Sequence, residues 1–166
     1  MNWQVAPGDV RALLAGLAEE VWGLVPLPEI AALPGGKPWF PARPDCRFSL
    51  SHAGELGMCA VSERTVGAVV ERLRPRRVSL PRYVLDDREF DWFSARGRTW
   101  TDFYTLWTMK EARVKCTGEG LRRPAREIPV PLLLPGERSF WEGFLFTALA
   151  GPDWRGAVCE EFLPGE

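Results

Sequence analysis

Trp107, Glu111 and Lys115 recur at a spacing of four, with Phe103 one turn earlier, so on a helix they share one stripe. On a solvated face an acid and a base four apart form a surface ion pair of about 0.3 kcal/mol. The large Trp on the same stripe implies instead that the stripe faces protein, where a carboxylate and an ammonium need an ionic task. A second acid ends the run Val66-Gly67-Ala68-Val69-Val70-Glu71, in which alternation puts Gly67, Val69 and Glu71 on one face. The plainer reading of Glu71 is a solvated strand end beside Arg72, Arg74, Arg76 and Arg77. The single histidine, His52, closes the run Phe48-Ser49-Leu50-Ser51, whose alternation sends Ser49 and Ser51 to the face opposite Phe48 and Leu50. Ser51 and His52 would make a donor pair for an anion at a strand end; alternatively His52 is a hydrogen-bonded structural residue beside a Gly turn. Lys37, between Gly36 and Pro38, is the candidate loop cation.

These residues need elements to hold them. Asp9 is placed to cap a helix over residues 9–23, with Val10, Leu13, Leu14, Leu17, Ala18, Val21 and Trp22 on its apolar face. Gly and Pro make 33–38 a loop. Phe48 to His52 and Met58 to Val61 read as short strands around a turn at 53–57, and Val66 to Glu71 as a third. The stretch 78–93 is helical in pattern but interrupted by Pro81, with Asp86, Asp87, Glu89 and Asp91 as an acidic turn. A longer helix starts near Thr101 and Asp102, its expected cap, and stops at Gly118 and Gly120. Four prolines between 124 and 135 exclude a helix or a central strand there, and strands at 144–150 and 157–162 flank a turn at 151–153. The order argues for an α+β chain without a long linker.

Composition narrows the function class. The 166 residues carry 21 Lys plus Arg against 22 Asp plus Glu, a net charge of −1, which argues against a basic nucleic-acid coat. Cys46, Cys59, Cys116 and Cys159 lie far apart with one His in the chain, so buried free thiols are expected rather than a zinc cage. No apolar run reaches the ~20 residues that span a bilayer, and the first residues lack a signal-peptide layout; a cytoplasmic protein with no membrane partner is expected.

Together the segments resemble the 4′-phosphopantetheinyl transferases of the pseudo-dimeric, carrier-protein-activating type. Gly36-Lys37-Pro38 resembles the family's G-K-P, Phe48 to Gly54 its F-N-x-S-H-S-G, and Val66 to Glu71 its G-x-D-x-E strand. Phe103 to Leu121 is similar to W-x-x-K-E-(A/S)-x-x-K-x-x-G-x-G-L, the most specific of these matches. The resemblance implies two similar α/β lobes related by an approximate twofold with the site between them, here a shortened lobe over 1–63 and a second over 64–166. It implies Mg²⁺-dependent transfer of the phosphopantetheine arm of coenzyme A to a serine hydroxyl of an acyl or peptidyl carrier protein, releasing 3′,5′-ADP. By motif, Glu71 and Glu111 would be the Mg²⁺ ligands; Glu111, Lys115 and His52 would serve catalysis; Lys37, Ser51, His52 and Lys115 would hold coenzyme A phosphates. The arginines near 72–77 and 122–126 would meet an acidic carrier.

Three departures qualify this. Val69 stands where the family strand has Asp, two residues before Glu71, so a carboxylate ligand is replaced by methyl groups. Ala53 stands where the family more often has Ser or Thr. The first lobe is short, which leaves a homodimer open beside the expected monomer. The alternative function is a relative that binds coenzyme A or a carrier without transfer.

Overall fold

The computed structural model describes residues 1–120 and 122–162; Leu121, the last residue of the helix motif, lies outside them. The first strand, β1 (Asn2–Pro7), leads into α1 (Val10–Trp22). The Asp9 carboxylate accepts from the Arg11 N–H, and Gly23, left-handed at φ 65°, returns its N–H to the Ala18 and Glu19 carbonyls. After two-residue strands β2 (Ala31–Ala32) and β3 (Pro38–Trp39) come β4 (Arg47–Ala53) and β5 (Leu56–Ser62). These last two join β1 in an antiparallel sheet of order β1-β5-β4. Leu14 and Leu17 of α1 meet Phe40, Phe48 and Val61 beneath it.

A second sheet, β6-β9-β8-β7, is built from β6 (Val66–Arg72), β7 (Arg138–Trp141), β8 (Phe144–Ala150) and β9 (Trp154–Glu161). Between β6 and β7 the chain forms α2 (Leu80–Val84), α3 (Asp87–Ala95), α4 (Trp100–Thr117) and a 3-10 turn, Ala125–Glu127, inside the Pro-rich loop. This is the α+β class read from the sequence, and the expected helices and strands are present. Strands β2, β3 and β7 have no counterpart in the sequence reading, because two to four residues are too few for a pattern, and Pro38 of β3 falls in the stretch read as a loop. The cap of α4 differs from expectation: Thr99 accepts from the Asp102 N–H, and Asp102 is instead held by Arg96 through two bonds of 3.0 and 3.1 Å. Among the described residues no helix is long and apolar enough to cross a membrane.

Glu89, read from the sequence as part of an acidic turn, is completely buried. It accepts from the Asp86 N–H in a capping box and lies 2.7 Å from Lys110 Nζ, whose other bonds go to the Ala125 and Ile128 carbonyls. Burial raises the Glu89 pKa and lowers that of Lys110, each opposed by the other's charge. The pair, saturated with hydrogen bonds, fastens the Pro-rich loop to α4.

The two sheets meet where β4 approaches β6. Ser49 Oγ accepts from the Ala68 N–H at 2.9 Å and Ser51 Oγ from the Val70 N–H at 3.1 Å, so hydroxyls cover an edge of β6 that no strand pairs. Met58 and Ala60 of β5 meet Val66, Ala68 and Val70 at the same seam. On the other face α4 lies directly on β6: a Cβ at Gly67 would stand 2.1 Å from the Ala112 carbonyl oxygen and 2.4 Å from the Cys116 nitrogen. The Gly67→Ala variant is therefore expected to lose at least about 3 kcal/mol, seen as a lower urea midpoint, because both obstacles are backbone atoms.

Candidate active site

Close packing at Gly67 sets the positions of the side chains farther along the same strand face. The odd residues of β6 face α4, which buries Val69 at 2% exposure among Phe103, Leu106 and Met109 and turns Glu71 toward the same helix. Glu111 lies close enough to Glu71 for the two carboxylates to repel, and Lys115 close enough to attract both. The three residues drawn from two distant motifs are thus brought together. Glu111 Oε1 is buried without a hydrogen-bond partner among the described residues. Burial first, then repulsion from Glu71, pushes the Glu111 carboxyl up to about 8, against the pull of Lys115. Trp107, stacked on Phe103 at 6.2 Å, roofs this side of the helix.

Lys115 Nζ donates to the Leu50 carbonyl of β4 at 3.0 Å, and burial of its ammonium lowers its pKa although the residue keeps an exposed surface. Lys37 Nζ donates to the Cys116 carbonyl at 2.7 Å, satisfying an oxygen at the C-terminal end of α4; burial likewise lowers its pKa. Between them opens a cavity of about 300 Å³, walled by Gly36, Lys37, Ser49, Leu50, Lys115 and Gly118 among others. The β2–β3 loop and the end of α4 make its rim, with Gly35 and Gly36 at φ 94° and 87° in the left-handed range only glycine adopts freely. Two cations on one wall suit an anionic occupant.

Of the expected residues only Lys37 and Lys115 line the cavity; Glu71 and Glu111 lie beside Lys115, and Ser51 and His52 stand on β4. Ser51 is 8% exposed with its oxygen engaged by the Val70 N–H, and it does not line this cavity. His52 is exposed on β4, two residues beyond Leu50 on the same strand face, and is also absent from the lining. Lys110 of the helix motif, to which the sequence reading gave no role, is the buried partner of Glu89. Its signal was a charge about 100° round the helix from Glu111 with no acid three or four residues away.

A divalent cation fits part of this arrangement. A buried acceptor without a donor, facing a second carboxylate, is what a hard oxygen-seeking ion satisfies. Val69 contributes no oxygen, and among the described residues no group of three or more His, Cys, Asp and Glu converges to hold a metal. Such an ion would have Glu71 and Glu111 and would draw its remaining oxygens from substrate and water.

Comparison with known proteins agrees with this geometry. A family model described as the 4′-phosphopantetheinyl transferase superfamily matches residues 65–148, the stretch that carries Glu71, Glu111 and Lys115. The chain is 33% identical over 132 residues to a 4′-phosphopantetheinyl transferase of Bacillus subtilis, covering 75% of this chain and 59% of the relative. It is 37% identical over 120 residues to the 4′-phosphopantetheinyl transferase AcpT of Salmonella typhi, covering 68% and 62%. A protein of Escherichia coli described only as uncharacterized, YieE, is 31% identical over 124 residues, covering 71% and 50%. The chain spans between half and two thirds of the length of these three relatives. With the motif residues of β6 and α4 assembled at one place and half of the chain matched by the family model, this protein belongs to the 4′-phosphopantetheinyl transferase superfamily.

Proposed function

We propose that the protein transfers the 4′-phosphopantetheine arm of coenzyme A to a serine hydroxyl of an acyl or peptidyl carrier protein, with Mg²⁺ bound by Glu71 and Glu111. The observation that carries this reading is the buried Glu111 carboxylate, one oxygen of which has no hydrogen-bond partner among the described residues, beside Glu71 and Lys115, the second of which lines a cavity together with Lys37. Residues 1–63 and 64–166 are read as two lobes whose seam holds the site.

The chemistry asks for charge neutralisation at a diphosphate, a base for a serine, and a cation for the leaving phosphate. Lys37 and Lys115 supply the positive wall that orients the diphosphate. Glu111 takes the serine proton as the serine oxygen bonds to the phosphorus bearing the arm. The bond from that phosphorus to the bridging oxygen breaks and 3′,5′-ADP departs, with Lys115 steadying the charge that collects there. When bound, Mg²⁺ supplies further neutralisation of the diphosphate. Ser51 and His52 are assigned to the phosphate oxygens by motif; Ser51 has only its hydroxyl hydrogen left to give. Exposed Arg74, Arg76 and Arg77 offer charge to an acidic carrier, whereas Arg72 and Arg126 are paired with Asp153 and Asp87. A cytoplasmic monomer is the setting read from the sequence.

A second reading, binding of coenzyme A or a carrier without transfer, is favoured by Val69. Mass spectrometry of a carrier incubated with the protein, coenzyme A and Mg²⁺ separates the two: one added phosphopantetheine supports transfer, and coenzyme A binding without loading supports the second. Glu111→Gln is expected to reduce loading at least about 100-fold.

The raised Glu111 pKa gives two further expectations. The folded chain keeps a proton that the unfolded chain releases above its ordinary carboxyl value, so stability falls as pH rises from about 4.5 to about 8. Glu111→Gln escapes that loss and should exceed the parent by about 2 kcal/mol at pH 9 while matching it at pH 4, measured by urea unfolding. Loading should climb with pH as Glu111 sheds its proton, with a midpoint at or below 8.

Val69→Asp puts a carboxylate into the apolar contact between β6 and α4. Its thermal midpoint in EDTA should drop by about 5 °C or more, and Mn²⁺ should restore it if position 69 reaches the ion. Loss without rescue would exclude position 69 from the ion's surroundings.

A further inference from the structure

Two cysteines that the proposed chemistry does not use lie against each other under the cavity wall. Cys159 is the register partner of Gly67 on β9. Cys116, in the last turn of α4, sits over that same glycine, where a Cβ would be 3.0 Å from the Cys116 Cα. The missing side chain of Gly67 is the gap in which the thiols meet, and they interact directly. Both are free, at 1% and 0% exposure.

They differ in their surroundings. Cys159 is held mid-strand between β6 and β8, and burial pushes its thiol well up. Cys116 precedes exposed Thr117 and the glycine that ends α4, a turn whose opening frees it. Its thiol donates to the Thr65 carbonyl at 3.3 Å, and its own carbonyl accepts from the Lys37 ammonium at 2.7 Å.

We propose that Cys116 and Cys159 form a reversible disulfide latch that ties the last turn of α4 to β9 and so sets the position of the Lys37 and Lys115 wall. The oxidant is a low-molecular-weight disulfide. The Cys116 thiolate attacks one of its sulfurs, the S–S bond breaks and one small thiol leaves with a proton. The Cys159 thiol then attacks Cys116 in the mixed disulfide, and its proton goes to the departing sulfur, so that the second small thiol leaves. Two protein thiols are oxidised and one external disulfide is reduced to two thiols. Cys46 and Cys59 belong to the opposite core, beneath the first sheet, and take no part.

The test is treatment of the whole chain with oxidised glutathione, followed by intact mass and peptide mapping. The expected product is about 2 Da lighter, contains one peptide joined through 116 and 159, carries no glutathione, and reverts with dithiothreitol. Hydrogen exchange over 112–118 should slow at least several-fold in the oxidised form. Coenzyme A should slow latch closure at least several-fold, an effect that rests on the proposed function because it needs a diphosphate on Lys37. No mass loss, a bridge to Cys46 or Cys59, or glutathione left on Cys116 would overturn the latch, whatever the loading assay shows. A bridge that forms at the same rate with saturating coenzyme A would keep the latch and count against the assignment of Lys37. The mapping uses the parent chain, so it does not depend on whether Cys116→Ser or Cys159→Ser folds.

Discussion

The contact of α4 on β6 at Gly67 governs the geometry of the whole site. A helix lies this close to a strand only where the strand offers no Cβ, and here the Ala112 oxygen and Cys116 nitrogen occupy the space a methyl group would need. From that contact the register runs outward: Val69 enters the apolar layer, Glu71 reaches the level of Glu111, and Cys159 comes beneath Cys116. Looser packing would separate the carboxylates and let water reach the Glu111 oxygen that is now dry.

The consequence is electrostatic. A carboxyl buried beside another carboxylate holds its proton until about pH 8, so below that pH the folded chain is more stable with Glu111 neutral. Lys115 moderates this and Val69 reduces the negative charge that a third acid would add. The lysines in turn are held by main-chain oxygens, Lys115 by Leu50 and Lys37 by Cys116, so one ties α4 to β4 and the other ties it to the β2–β3 loop. The cavity between them exists because the β2–β3 loop, β4 and the end of α4 all contribute to its wall.

Other polar groups of the seam also hold the fold together. Ser49 and Ser51 satisfy amides on an unpaired edge of β6, each bond worth about 1 kcal/mol and each preventing a larger loss from a buried, unmet donor. Lys110 and Glu89 hold the far side of α4; removing either partner would strand a buried charge, at a cost of about 3–5 kcal/mol. The helix motif thus alternates duties along its length: one lysine is sealed into the core, and the next acid and lysine face the cleft.

What the sequence determined by itself was local. Period-four spacing put Trp107, Glu111 and Lys115 on one stripe, alternation put Gly67, Val69 and Glu71 on one face, and Gly and Pro marked the ends of the elements, because these patterns depend only on helix and strand repeat. Tertiary structure alone decided which stripe met which face, that the Ser49 and Ser51 hydroxyls turn to β6 amides, that Glu89 is buried on Lys110, and that two cysteines 43 residues apart touch beneath a glycine. Such pairings join residues far apart along the chain through space and burial, and neither leaves a periodic trace in the order of the amino acids.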